Sequence, residues 1–320
     1  MNRMTRWLFL IVSLATGCAY VAVQSAPEKS ASTARTTAAE QADALFWYTL
    51  HGGQYDQIPA ALNALTAAYL ENPTDAITAA HVGWMHVWRL SERARMAEIP
   101  ATITDDAVLS RRYFEEAVRL DPTEARYLGF YASLLLAEGT IHKDERLTRQ
   151  GYFTLLDSVK AYPEFNYFTA GYVLSDRPRD SERFKEGLEY QWLNLDVCVG
   201  KKVNRQNPDY QRYMRLMTTE GPKRVCWNSW IAPHNFEGFF LNMGDMLVKS
   251  GSWQTAQKVY ANARYSTDFA RWRFRDVLEE RIAQAQANVV AFNAPPDAAG
   301  RMTKPIMVRS AFSCVGCHQK

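Results

Sequence analysis

From about residue 41 to about residue 290 apolar residues recur every three or four positions, with few clean alternating runs, and this period predicts an almost wholly helical fold. Pro73, Pro122 and Pro163 punctuate it, each just after a periodic stretch, where a residue lacking an N–H ends a helix. Counting back from each proline, one triplet of small, large and small side chains returns: Ala61, Leu65, Ala68, then Ser110, Phe114, Ala117, then Gly151, Leu155, Ser158. A spacing of i, i+4, i+7 puts each triplet on one helix face. The small residues admit a neighbouring helix, and the large one fills the gap between. Val82-Gly83 on the helix after Pro73 offers another close approach. A fourth copy follows late in the chain, with Phe240, Met243, Gly244 and Leu247 on one helix, the turn Ser250-Gly251-Ser252, then Ala256, Tyr260 and Ala263.

This recurrence resembles the tetratricopeptide repeat (TPR), in which antiparallel helix pairs stack into a superhelix. The likeness covers about residues 54–175 and 236–270. Pro73 to Pro122 is 49 residues and Pro122 to Pro163 is 41, longer than the repeat of about 34, so insertions are expected. The expectation is an all-α, TPR-like hairpin array over 41–290, interrupted at about 176–235 by an irregular insertion that projects from it. Residues 26–40 are small, polar and aperiodic, and read as a flexible spacer. Residues 291–320 read as a linker, with Pro295, Pro296, Gly300 and Pro305, ending in a short helix from about Val308.

Composition then narrows the class. At 47% hydrophobic and 12% aromatic with nine Trp, the chain is globular. Its formal charge of +3 includes Arg3 and Arg6, which lie in a segment expected to be removed, so nothing points to nucleic acid. Those arginines precede an apolar run, Trp7 to Val23, the layout of a secretory signal over residues 1–25. Three fates stay open: cleavage after Val23-Gln24-Ser25, lipidation of Cys18 in the imperfect box Ala15-Thr16-Gly17-Cys18, and an uncleaved anchor. Each predicts a protein that is periplasmic or membrane-anchored facing the periplasm.

The chemistry sits at the end of the chain, in Cys314-Val315-Gly316-Cys317-His318. This run is similar to the attachment motif of c-type cytochromes. The resemblance implies one covalent haem c, thioethers at Cys314 and Cys317, and His318 as an axial ligand to iron. Two other readings of the cysteines are a redox or disulfide pair and half of a zinc site. The first lacks a βαβ context and the second wants four ligands. Small class I cytochromes carry the motif near the start of the chain, and cytochromes c-prime carry it on a long final helix that Pro295, Pro296, Gly300 and Pro305 forbid here. The motif therefore has no cytochrome domain of its own.

Thirteen residues from Val308 do not enclose a large apolar plate, so the pocket is expected from the helical body or a partner. Trp227, Trp230, Phe236, Phe239 and Phe240 are candidate walls, with ordinary core packing as the alternative. For the second axial position His234, Met302 and Met307 compete with water, an empty position and other side chains. His51, His81, His86 and His142 read as packing or surface residues, His81 and His86 being five apart and so on different faces. The acid pairs Asp105-Asp106 and Asp144-Glu145 fit helix N-termini. In an oxidising compartment Cys198 and Cys226 are expected to form a disulfide, worth about 3 kcal/mol on the chain-entropy model, two unrelated buried thiols being the alternative.

Neither a phosphate loop nor a nucleophile elbow occurs in the sequence. The leading expectation is an electron-transfer protein, not an enzyme, whose repeats dock a redox partner. A haem enzyme or gas sensor, and a haem-free scaffold or assembly factor, are the alternatives.

Overall fold

The computed structural model describes residues 18–93, 96, 98–296, 302, 304–308 and 314–319, with the backbone alone for 314 and 315. The N-terminal run up to residue 17, most of the linker at 297–303 and residues 309–313 lie outside the described residues. Residues 1–31 and 32–320 are separate units. In the first, residues 18–24 are helical, and Cys18, Tyr20, Val21 and Val23 are exposed. Among the described residues no helix is long and apolar enough to cross a membrane.

The second unit is built of helices. They are α1 (Thr37–His51), α2 (Ile58–Glu71), α3 (Ala76–Ser91), α4 (Asp105–Leu120), α5 (Ala125–His142), α6 (Glu145–Ala161), α7 (Pro163–Val173), α8 (Glu182–Val199), α9 (Asn235–Ser250), α10 (Trp253–Ala261), α11 (Arg275–Ala283), α12 (Ala285–Ala291) and the short α13 (Cys314–Cys317). Strands are absent among the described residues. Consecutive helices pair as α1/α2, α3/α4, α5/α6, α7/α8 and α9/α10, and each pair packs on the next through α2 on α3, α4 on α5, α6 on α7 and, more sparsely, α8 on α9.

Local chemistry sets the boundaries. Asp75 caps α3 by accepting from the N–H groups of Ile77 and Thr78, and Asp144 caps α6 by accepting from those of Arg146 and Leu147. Such caps are each worth about 1 kcal/mol. Pro73 and Pro122 follow the ends of α2 and α4, while Pro163 opens α7. Asp105 and Asp106 lie in the first turn of α4, and Asp106 also reaches His86 Nδ1 at 2.7 Å.

The three triplets are the buried faces of α2, α4 and α6, with Leu65, Phe114 and Leu155 all at 0% exposure. Burying each large side chain is worth about 1.5–3 kcal/mol. Their small neighbours do what the pattern requires: Ser110 Oγ donates to Gly83 O at 2.8 Å, and a Cβ on Gly83 would meet the Phe114 ring at 3.0 Å. Late in the chain a Cβ on Gly244 would fall 2.1 Å from Tyr260, so only glycine lets α9 and α10 pack there.

Two segments differ from the sequence expectation. The spacer is shorter, because Thr36 caps α1 at Ala39 and Arg35 pairs with Asp43 and Asp75. Side chains that look uniformly polar have partners too distant in sequence to be anticipated. The irregular insertion also folds back instead of projecting. After α8, residues 200–234 pack on α9, with Tyr210, Met214 and Trp227 buried in the largest apolar cluster and Trp227 stacked on Phe236 at 5.1 Å.

The tail is docked as well. Met307 N–H donates to buried Asp245 at 2.8 Å, Asp245 pairs with Arg281 at 3.2 Å, and Lys304 reaches Asn288 at 2.8 Å. The chain then presents α13 against α9 and ends in an antiparallel bridge between Gly52 and Gln319. The last residues thus join the final hairpins to the C-terminal end of α1.

Candidate functional site

Alternate helices of the array share one wall. Side chains of α1, α3, α5, α7 and α9 line a cavity of about 550 Å³, together with α8 and the loop through Trp227 and Trp230. Its size lies within the range of about 300–1,000 Å³ taken by small-molecule and cofactor sites. All five aromatic residues singled out from the sequence, Trp227, Trp230, Phe236, Phe239 and Phe240, face it. Four are core residues too, and Trp230 is 59% exposed.

Cys317 and His318 open onto this cavity. The segment bearing them is gripped by backbone. His234 N–H donates to Cys317 O at 2.9 Å, and Trp272 Nε1 donates to Gly316 O at 3.1 Å. Gly238 on α9 lies so close to α13 that a Cβ there would be 2.4 Å from Gly316 C and O. Gln319 is buried against Gly53, whose φ of +61° is readily adopted only by glycine.

The His318 ring lies parallel to that of His51, 5.9 Å between centroids and 10° between planes, and contacts Trp84 at 6.4 Å. Burial, reinforced by His51 and His234, pushes its pKa down to about 3, so the imidazole is neutral near pH 7. Neutral imidazole is the form that binds a metal. Its Nδ1 is buried without a hydrogen-bond partner. The Cys314 side chain lies outside the described residues.

The remaining sequence candidates are dispersed. His234 is buried beside the motif with Nδ1 3.4 Å from Glu237, and it does not line the cavity. Met307 is buried with Tyr172, Phe184 and Met246 and does not line the cavity, and Met302 is 40% exposed. Cys198 and Cys226 are joined as a disulfide with Cα atoms 5.5 Å apart. This bond ties the end of α8 to the loop that carries Trp227 and Trp230, and it takes both sulfurs out of reach of a zinc site. His142 is exposed at the end of α5.

Sequence reasoning missed His51 and His81. His81 stacks on Phe46 at 3.9 Å, and its Nδ1 lies 2.5 Å from Asp43. Arg35 binds Asp43 at 3.3 Å and Asp75 at 3.0 Å, and Arg35, Asp43 and His81 all face the cavity. Burial raises the Asp43 carboxyl, but His81 and Arg35 outweigh it and leave the pKa below the usual range. For His81 burial wins, and its pKa falls. A sequence hint existed, since His81 precedes Trp84 by one turn on the same face.

At another part of the wall Arg126, Arg224 and Glu124 converge, with Arg126 2.6 Å and Arg224 3.5 Å from Glu124. Arg126 Nε is buried without a partner. Among the described residues no group of three or more His, Cys, Asp or Glu is placed to hold a bare metal ion.

These features fit a haem. Flat apolar walls suit a porphyrin face, the arginines suit carboxylate side groups, and one neutral imidazole beside a cysteine matches the terminal motif. No family model, curated protein or solved structure matches this chain.

Proposed function

We propose that this chain is an exported monohaem c-type protein that transfers electrons, with the haem held inside the concave face of its own helical array. One observation carries the reading: Cys317 and His318 of the Cys-x-x-Cys-His run open onto an aromatic cavity within the same chain. This reading gives a motif without a cytochrome domain a pocket in the helical array.

Cys314 and Cys317 would form the thioethers, and His318 would supply the axial nitrogen. When bound, haem contributes a one-electron couple that the surrounding dielectric and ligands tune. The residues of this chain have separate tasks. Neutral His318 offers a lone pair without losing a proton first. Trp47, Trp84 and Phe168 would exclude water, and Arg126, through its unpartnered Nε, and Arg224 would share their charge between Glu124 and the propionates. Export follows from the N-terminal pattern and agrees with the Cys198–Cys226 disulfide. Periplasmic release, lipidation at Cys18 and an uncleaved anchor are all compatible with it. A redox partner would dock near Trp230, which is exposed, touches His51 at 5.5 Å and so lies two ring contacts from His318.

The test is a pyridine haemochrome assay on protein made with the c-type maturation machinery. A covalent haem signal that disappears in Cys314→Ser is the expected result. Mature protein without that signal overturns the proposal and leaves a scaffold role.

A further inference from the structure

The cavity holds a second reactive group that electron transfer alone does not use. His81 is 8% exposed and faces the cavity, and its Nδ1 lies 2.5 Å from Asp43 Oδ1 as an ion-pair contact. The polar contact of His81 among the described residues is this one to Asp43, and none is made at its other nitrogen, Nε2. The ring is fixed on three sides. Phe46 stacks on it with 9° between planes, Trp47 meets its edge at 5.4 Å, and Asp43 is itself clamped by Arg35. Arg35 in turn is fastened to Asp75, the cap of α3, the helix that carries His81. An oriented imidazole with a carboxylate on one nitrogen and an unoccupied lone pair on the other is the arrangement of a general base.

We propose that His81, oriented by Asp43, is a proton-exchanging residue that serves a small protic ligand HX binding in the cavity as X⁻. In the step, the H–X bond breaks, its electron pair stays on X, and the proton forms an N–H bond at Nε2. The imidazolium charge is then met by Asp43. The proton returns by the reverse transfer when X⁻ leaves. Hydrogen peroxide, hydrogen sulfide and hydrogen cyanide share this chemistry. Burial favours the neutral imidazole against the pull of Asp43, with Arg35 and Asp75 the other charges acting on it. Trp47 lies between this dyad and the haem-ligand side, touching His81 at 5.4 Å and His51 at 4.9 Å. The dyad thus shares the cavity with His318 without being its neighbour.

This inference rests on the haem reading, and cyanide separates the two. The full-length haem-loaded protein is mixed with cyanide, and association is followed by the haem absorbance as a function of pH. Wild type should associate at a rate that is nearly flat above the pH at which His81 protonates. His81→Gln should associate about 100-fold more slowly at neutral pH, with a rate that climbs in step with the ionised fraction of cyanide. A role in packing alone would not create that slope. Should the glutamine variant fold poorly, a solvent deuterium isotope effect clearly above one on wild-type association supports the proposal, and its absence counts against it. Equal rates and equal pH profiles in both proteins, or no cyanide binding to a haem-loaded wild type, overturn the proton role and leave the haem reading intact. A protein without covalent haem overturns both.

Discussion

Gly238→Ala tests the docking of the terminal motif through the sign of its effect. Gly238 is an interior residue of α9, where alanine is worth about 1 kcal/mol more than glycine by helix propensity. If α13 were loosely tethered, the substitution would stabilise the protein by about that amount. The structure sets a larger opposing effect. The added Cβ falls 2.4 Å from Gly316 C and O and 2.7 Å from Cys317 N, all backbone, where ordinary contact begins at 3.4 Å. No rotamer relieves such a clash, so α13 must move by about 1 Å, a scale of overpacking that costs about 1–3 kcal/mol. The net expectation is a loss of up to about 2 kcal/mol, or roughly 4 °C in melting temperature for a body this large. The hydrogen bonds from His234 to Cys317 O and from Trp272 to Gly316 O should weaken with it. Thermal unfolding reads the stability, and the NMR resonance of the Trp272 indole N–H, which donates to Gly316 O, reads the docking. A variant that melts higher than wild type with an unchanged Trp272 indole resonance refutes the packing of α13 on α9.

Other outcomes follow from the same contacts. Replacing Cys198 and Cys226 together by serine should cost about 3 kcal/mol of stability on the chain-entropy model, read from urea midpoints, and equal midpoints would contradict it. Asp245→Ala strands Arg281 and frees Met307 N–H, so it should destabilise by about 3–5 kcal/mol and open the tail to limited proteolysis by subtilisin, a protease of broad specificity; a tail as resistant as wild type would argue against this anchor. Acid should weaken the first hairpins. His81, Asp43 and Asp75 all have lowered pKa values when folded, so the unfolded chain binds more protons and stability falls with pH. The His81 part should be present above about pH 6.5 and the aspartate part above about pH 4, each lost as pH drops through its folded value. Urea midpoints that rise between neutral and mildly acid pH would contradict that sign.

What the sequence discloses about this fold is local. The triplets ending before Pro73, Pro122 and Pro163 recur because each helix must bury one face on its neighbour, and that constraint is written within a single helix. The closure of the array is not. Gly52 pairs with Gln319, and His51 lies against His318, across almost the whole chain. Neither contact leaves a periodic trace. The same holds for Arg35, which looks like part of a polar linker until its partners Asp43 and Asp75 are in view. His81 illustrates a different limit. Its apolar neighbours suggest packing, and only the third dimension adds Asp43 and a cavity. The insertion also reads as irregular because its order comes from one disulfide and from stacking on α9, not from repeating spacing.

The claim that this array is the pocket of a covalently attached haem is tested most directly by the intact mass of the mature protein under denaturing, non-reducing conditions. The account predicts one haem that survives denaturation on the wild-type chain, with Cys314 and Cys317 both consumed and the Cys198–Cys226 disulfide retained. A chain matured alongside a functioning c-type cytochrome control that carries no added haem, with both terminal thiols open to alkylation after unfolding, would contradict it.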